Sequence, residues 1–169
     1  MMVLDIDHDT TSTITTCHDD PDVEGTELLW RLVETVDDPG ISGQSRRPKS
    51  CSLRNSQMSV DRAKISTPQD TLCLQPDRDI AQFTAKSVRE LNLKVYADPC
   101  YVCRQCGTHL GNKCVPCPQC QSDTKVYYNK AHAIVCPEMK EGIARKFAKE
   151  KVVMLEIAQE IRDQARNLR

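Results

Sequence analysis

Six of the ten cysteines fall between Cys100 and Cys120, in the string CYVCRQCGTHLGNKCVPCPQC. Cys103 and Cys106 enclose CRQC, Cys117 and Cys120 enclose CPQC, and ten residues separate the pairs. Two residues between thiolates let a tight turn aim both sulfurs at one point. Two such knuckles close a tetrahedron around Zn²⁺ with Zn–S near about 2.3 Å. The preferred metal ligands are therefore Cys103, Cys106, Cys117 and Cys120, holding a structural Zn²⁺ whose four thiolates leave no position for water. Gly107, directly after Cys106, supplies the positive φ that a knuckle needs.

Cys100 and Cys114 each sit three residues before a chosen ligand, so the pairs CYVC and CVPC also have metal spacing. An iron–sulfur cluster is a further reading, with Cys136, followed by Pro137, as a remote ligand. A thioredoxin-like redox use is weaker, because no βαβ context places a CxxC at a helix start.

The segment YVCRQCG with CPQC resembles the YxCxxCG and CPxC features of zinc ribbons, over residues 101–128. The resemblance implies a small metal-held sheet, with Tyr101 and the strand-like KVYY flanking the knuckles. It implies either a structural staple or a platform for nucleic acid or protein. Arg104, Lys113, Lys125 and Lys130 support the platform.

The rest of the chain explains why a staple is wanted. Seven aromatic residues and a mean hydropathy of -0.51 give 169 residues a core poor in large side chains. Net charge is -1, but eleven acids and one base up to residue 38 leave thirteen acids and twenty-two bases after it. Global charge therefore selects no nucleic-acid or membrane partner. There is no signal-like start and no apolar run of about 18 residues, so the expected location is cytoplasmic, where close-spaced thiols bind metal rather than each other.

The expected fold is α+β, a small mixed domain with an inserted zinc ribbon and a C-terminal amphipathic helix. Residues 1–25 read as a weakly ordered acidic arm, in which VLDI and STITT have strand composition. Residues 26–99 and 129–169 form the α+β domain, and residues 100–128 the insertion. TELLWRLVETV enters the core as helix or strand, and residues 37–70 read as a basic irregular connection. Thr84 caps a helix over 85–91, LKVYA and AHAIVC are strands, a helix starts near Glu138, KVVML is a short strand, and an amphipathic helix runs from Met154 to Leu168.

RPKSCS, MSVDRAKI, ADP and NKAHA together resemble a group of small uncharacterised bacterial proteins with RPxS, SVD, DP and NxAHA blocks. That resemblance implies no established activity. Lys49 and Leu53 depart from its first block, where a small hydroxyl residue and Phe are common. The polar members of the blocks are the candidate catalytic residues: His132, Asp61, Asp98, Arg47 and Ser59. A neutral His132 in an apolar strand needs a partner, and Asp61 or Asp98 can supply it.

The leading functional reading is a zinc-stabilised binding or adaptor protein in a prokaryotic system. A protein partner would use the C-terminal helix, and nucleic acid would use Arg46, Arg47, Lys49 and the ribbon lysines. The alternative is an enzyme or nucleotide-binding domain, nuclease- or transferase-like, built on His132 with Asp61, Asp98 and Arg47.

Overall fold

The computed structural model describes residues 17–37, 46–121 and 124–169. The strand readings of VLDI and STITT lie outside the described residues. The strands are β1 (Leu28–Val33), β2 (Thr35–Asp37), β3 (Arg46–Pro48), β4 (Met58–Arg62), β5 (Asp79–Thr84), β6 (Lys94–Ala97), β7 (Cys100–Cys103), β8 (His109–Gly111), β9 (Val126–Asn129), β10 (His132–Cys136) and β11 (Val153–Met154). The α-helices are α1 (Pro68–Leu72), α2 (Ala85–Arg89), α3 (Glu141–Glu150) and α4 (Gln159–Leu168). The α+β class is as expected.

Six strands form the main sheet in the order β11-β5-β1-β4-β10-β6, antiparallel throughout. Side chains alternate across a strand, so Leu29, Met58, Val60, Phe83, Val95, Ala133 and Val135 share one face. α2 and α3 cover that face through Val88, Ala144, Phe147 and Ala148. Phe83 and Phe147 meet edge to face, with centroids 5.3 Å apart.

The opposite face is covered in two places. At β5 and β1, Leu72 of α1 and Ala165 of α4 pack on Ile80, with Trp30, Leu32 and Ile161 alongside. At β10 and β6, Tyr96 and Ile134 cluster with Cys17 and Cys136. Between these patches the same face presents Ser59, Asp61 and His132. A polar gap is thus left between two apolar caps.

Several local expectations meet the structure directly. Thr84 accepts from the Ser87 amide and starts α2. TELLWRLVETV resolves to a strand: β1 lies inside the sheet with neighbours on both sides, and a near-continuous apolar run suits that position. The C-terminal helix is α4, shorter than expected because Val153 and Met154 join β5 as a strand edge.

Residues 37–70 are not merely irregular. They contain β3 and β4, and β4 is a central strand paired with β1 and β10. Within the expected arm, residues 17–25 are packed rather than loose. Val23 is buried, Asp20 N donates to the Val95 carbonyl at 2.8 Å, and the Asp19 and Asp20 carboxylates accept from Val95 N and Ala97 N at 3.0 and 3.2 Å. Those contacts satisfy the outer edge of β6, which would otherwise offer unpaired amides. Cys17 is disulfide-bonded to Cys136. The remote-ligand iron–sulfur reading is corrected accordingly, because Cys136 is spent on that bond.

Candidate metal centres and the cavity between them

The ribbon forms a three-stranded sheet, β8-β7-β9, between β6 and β10, which pair with each other. Tyr101 faces Tyr128 across β7 and β9, as its flanking position implies. Each knuckle closes by the same backbone bond. Gly107 N donates to the Cys103 carbonyl at 2.8 Å, and Gln121 N donates to the Cys117 carbonyl at 2.7 Å. Both closing residues have positive φ, 75° at Gly107 and 52° at Gln121. Glycine adopts that conformation freely, whereas glutamine at the second knuckle does so at a cost of about 1 kcal/mol.

Cys103, Cys106, Cys117 and Cys120 converge, with their sulfurs all within 4.8 Å of one another. The Cys106 and Cys117 sulfurs are 3.5 Å apart. A tetrahedron with metal–sulfur bonds near 2.3 Å requires edges of about 3.8 Å, so the four sulfurs fit a single ion with small adjustments. The Thr108 hydroxyl and amide hold the Cys106 thiol down at about 6, whereas hydrogen bonding to Cys106 and burial push Cys120 up to about 12.

Cys114 is exposed and outside the group. Cys100 turns the other way. Residues three apart in an extended strand face opposite sides, so Cys103 reaches the four-thiol centre while Cys100 faces His109 and His132. These three residues form a second group with ligand atoms within 4.8 Å. Cys100 Sγ lies 3.8 Å from His109 Nδ1, and the two imidazoles meet edge to face with centroids 4.6 Å apart.

His132 Nδ1 lies 2.8 Å from the Asp98 carbonyl oxygen and 3.1 Å from Asp98 Oδ2, so Asp98 is the partner that the sequence left undecided. Asp61, directly across the strand from His132, accepts from Thr71 Oγ1 at 2.7 Å and Asn129 Nδ2 at 3.0 Å. Burial raises the Cys100 thiol to about 12, with Asp98 and Asp61 adding to it, and desolvation of the surface-exposed His109 ring where it meets its neighbours, followed by the nearby His132, lowers His109.

A cavity of about 670 Å³ opens between the main sheet, the ribbon and the chain end. Its walls include Arg31, Ser59 and Asp61 from the sheet, His109 from the ribbon, His132 from β10, and Arg169. Arg31 was not a sequence candidate. β1 and β4 pair at Leu29↔Arg62 and Trp30↔Asp61, and beyond them Arg31 donates to the carbonyls of Ser59 (2.9 Å) and Ser52 (3.1 Å). Desolvation lowers its pKa. Among the described residues no carboxylate is ion-paired with it.

Of the candidate catalytic set, Ser59, Asp61 and His132 share the cavity, and Asp98 stands behind His132. Arg47 does not join them; it lies on β3, paired with Val36 in the separate two-stranded ribbon.

The basic residues offered to nucleic acid are largely engaged internally. Arg46 pairs with Asp79 and Lys49 with Glu34. Arg104 lies over the Tyr127 ring and donates to the Leu168 carbonyl, while Lys125 donates to the Arg169 carbonyl. α4 spends its apolar side on α1 and Ile80, which removes the surface that a partner helix would use. Among the described residues no helix is long and apolar enough to cross a membrane.

No protein-family model, curated protein or solved structure matches the chain, so the likeness to RPxS/SVD/NxAHA proteins gains no support.

Proposed function

We propose that the chain is a zinc-stapled binding protein whose ribbon serves as one wall of a polar cavity. Cys103, Cys106, Cys117 and Cys120 hold Zn²⁺ as four thiolates. The ion fixes Gln105, Gly107 and His109 against the main sheet. The ligand is a small anionic molecule, received beside Arg31 and Arg169. The four thiols bind metal where they stay reduced, as Cys103, Cys106, Cys117 and Cys120 are in this structure, while Cys17 and Cys136 are closed as a disulfide.

The observation that carries this reading is the joint construction of the cavity by sheet, ribbon and chain end. It favours a small ligand over extended nucleic acid, because Arg46, Lys49, Arg104 and Lys125 already have partners within the fold. An enzyme built on His132 with Asp61 and Asp98 is compatible with the same cavity, but Arg47 has no part in it.

Calorimetric titration with inorganic phosphate and with adenosine monophosphate tests the reading. Saturable binding by the zinc-loaded chain, lost on chelation and weakened in Arg31→Lys, is expected. A chain that ignores both anions yet binds duplex oligonucleotide with a steep salt dependence would refute it.

A further inference from the structure

The second convergence of ligand atoms has a different character from the first. Cys100 is buried on β7, His109 is exposed on β8, and His132 is buried on β10. The three come from two separate sheets, brought together by the docking of the ribbon.

His132 Nδ1 is occupied by Asp98, through both its carbonyl and its carboxylate. His132 Nε2 is buried and has no hydrogen-bond partner among the described residues. A buried imidazole nitrogen left unpaired is costly. A carboxylate on one ring nitrogen and an unpaired second nitrogen, in an imidazole grouped with a cysteine and another histidine, is the arrangement by which proteins orient a metal-binding imidazole.

We propose that Cys100 Sγ, His109 and His132 Nε2 bind a second zinc-class cation, with its fourth coordination position open to the cavity. One thiolate and two imidazoles are a donor set suited to zinc, and three protein ligands are the number at which zinc keeps a position for water or a substrate atom. His109 and His132 both line the cavity, so that position faces the space also walled by Arg31. The carboxylates of Asp61 and Asp98 stand close by and offset the cation's charge. The fourth ligand is a water molecule or a small anion. Asp98 is a positioning residue for His132, not a ligand.

This site rests on the proposed reading, because Cys100 and His109 lie on the ribbon strands β7 and β8 that the four-thiolate ion orders, and the experiment separates the two. The full chain, reduced and loaded with zinc, is desalted and its metal content measured beside His109→Gln, Cys100→Ser and Cys106→Ser. Circular dichroism establishes that the main sheet of each variant is folded. Two zinc ions per chain, falling to one in His109→Gln and in Cys100→Ser, are expected. His109 is exposed, so its variant keeps the measurement interpretable if Cys100→Ser unfolds.

One zinc per chain, unaffected by either variant and lost in Cys106→Ser, overturns the second site and leaves the ribbon intact. One zinc lost in His109→Gln but kept in Cys106→Ser supports the second site and overturns the ribbon reading. In the cobalt-loaded chain, the spectrum of wild type minus His109→Gln isolates the second ion. Addition of azide should shift those bands, and unmoved bands would refute the open position.

Discussion

Replacing Cys117 with Ser removes one ligand from the four-thiolate centre without touching the main sheet. Cys117 is fully buried within the ribbon, and its carbonyl closes the second knuckle through Gln121. Among the described ribbon residues, the fully buried apolar side chains other than cysteine reduce to Val102. One valine contributes roughly 2 kcal/mol, too little to order some thirty residues at about 1 kcal/mol or more each. The ribbon should therefore lose its structure with its zinc.

The damage should stop at the chain end. Three bonds tie ribbon to terminus: Arg104 Nη1 to the Leu168 carbonyl at 3.1 Å, Lys125 Nζ to the Arg169 carbonyl at 2.8 Å, and Arg169 Nη2 to the Gln105 carbonyl at 3.0 Å. At about 1 kcal/mol each, their loss amounts to about 3 kcal/mol and a fall in Tm of about 6 to 12 °C for a domain of this size. α4 itself should stay, because Arg162 binds the Pro76 and Arg78 carbonyls and Asp79, and Ala165 remains in its core.

Hydrogen–deuterium exchange read by mass spectrometry checks this region by region. Residues 100–129 should exchange at the rate of an unfolded chain, while β1, β4, β5 and β10 keep their protection. Retained protection across the ribbon would refute the metal-held account, and loss of protection throughout the main sheet would refute the independence of the two sheets.

Three further outcomes follow from particular side chains. In the zinc-free, reduced chain, where the ribbon has lost its structure, iodoacetamide should modify Cys106 and Cys120 at the similar rates of unfolded thiols, and zinc should protect both; peptide mapping with and without zinc measures it, and equally fast modification of both in the zinc-loaded chain contradicts it. Burial pushes the Glu27 carboxyl up, but bonds to Arg62 (2.5 and 3.1 Å) and Lys64 (3.1 Å) outweigh it and hold it below the usual carboxylate range. Its contribution to stability is then complete above the unfolded pKa and lost as pH falls through the lower folded value. Glu27→Gln should cost roughly 3 kcal/mol in urea denaturation at pH 7, with the deficit vanishing at the acid end. Gln121→Gly, relieving the positive φ of the second knuckle, should strengthen zinc retention against a chelator by a few fold, corresponding to about 1 kcal/mol; weaker retention counts against that backbone argument.

What was legible in the sequence was what is local. The spacing of Cys103, Cys106, Cys117 and Cys120 encodes its own geometry, because each knuckle closes within five residues. Thr84 announces α2 for the same reason. β4 was hidden by its polar positions: in MSVDR, the alternating Ser59 and Asp61 line the cavity, so a central strand has the composition of a loop. His109 was missed because its partners, Cys100 nine residues before it and His132 twenty-three after it, form no regular ligand spacing. The signal was present in Cys100, whose offset of three from Cys103 turns it away from the four-cysteine group and requires another explanation.

The measurement that bears most directly on the four-thiolate centre is zinc X-ray absorption on the His109→Gln chain, in which the second site is disabled. The account predicts one zinc per chain with a single shell of four sulfurs near about 2.3 Å. A shell dominated by nitrogen or oxygen, or a folded ribbon that carries no zinc, would contradict it.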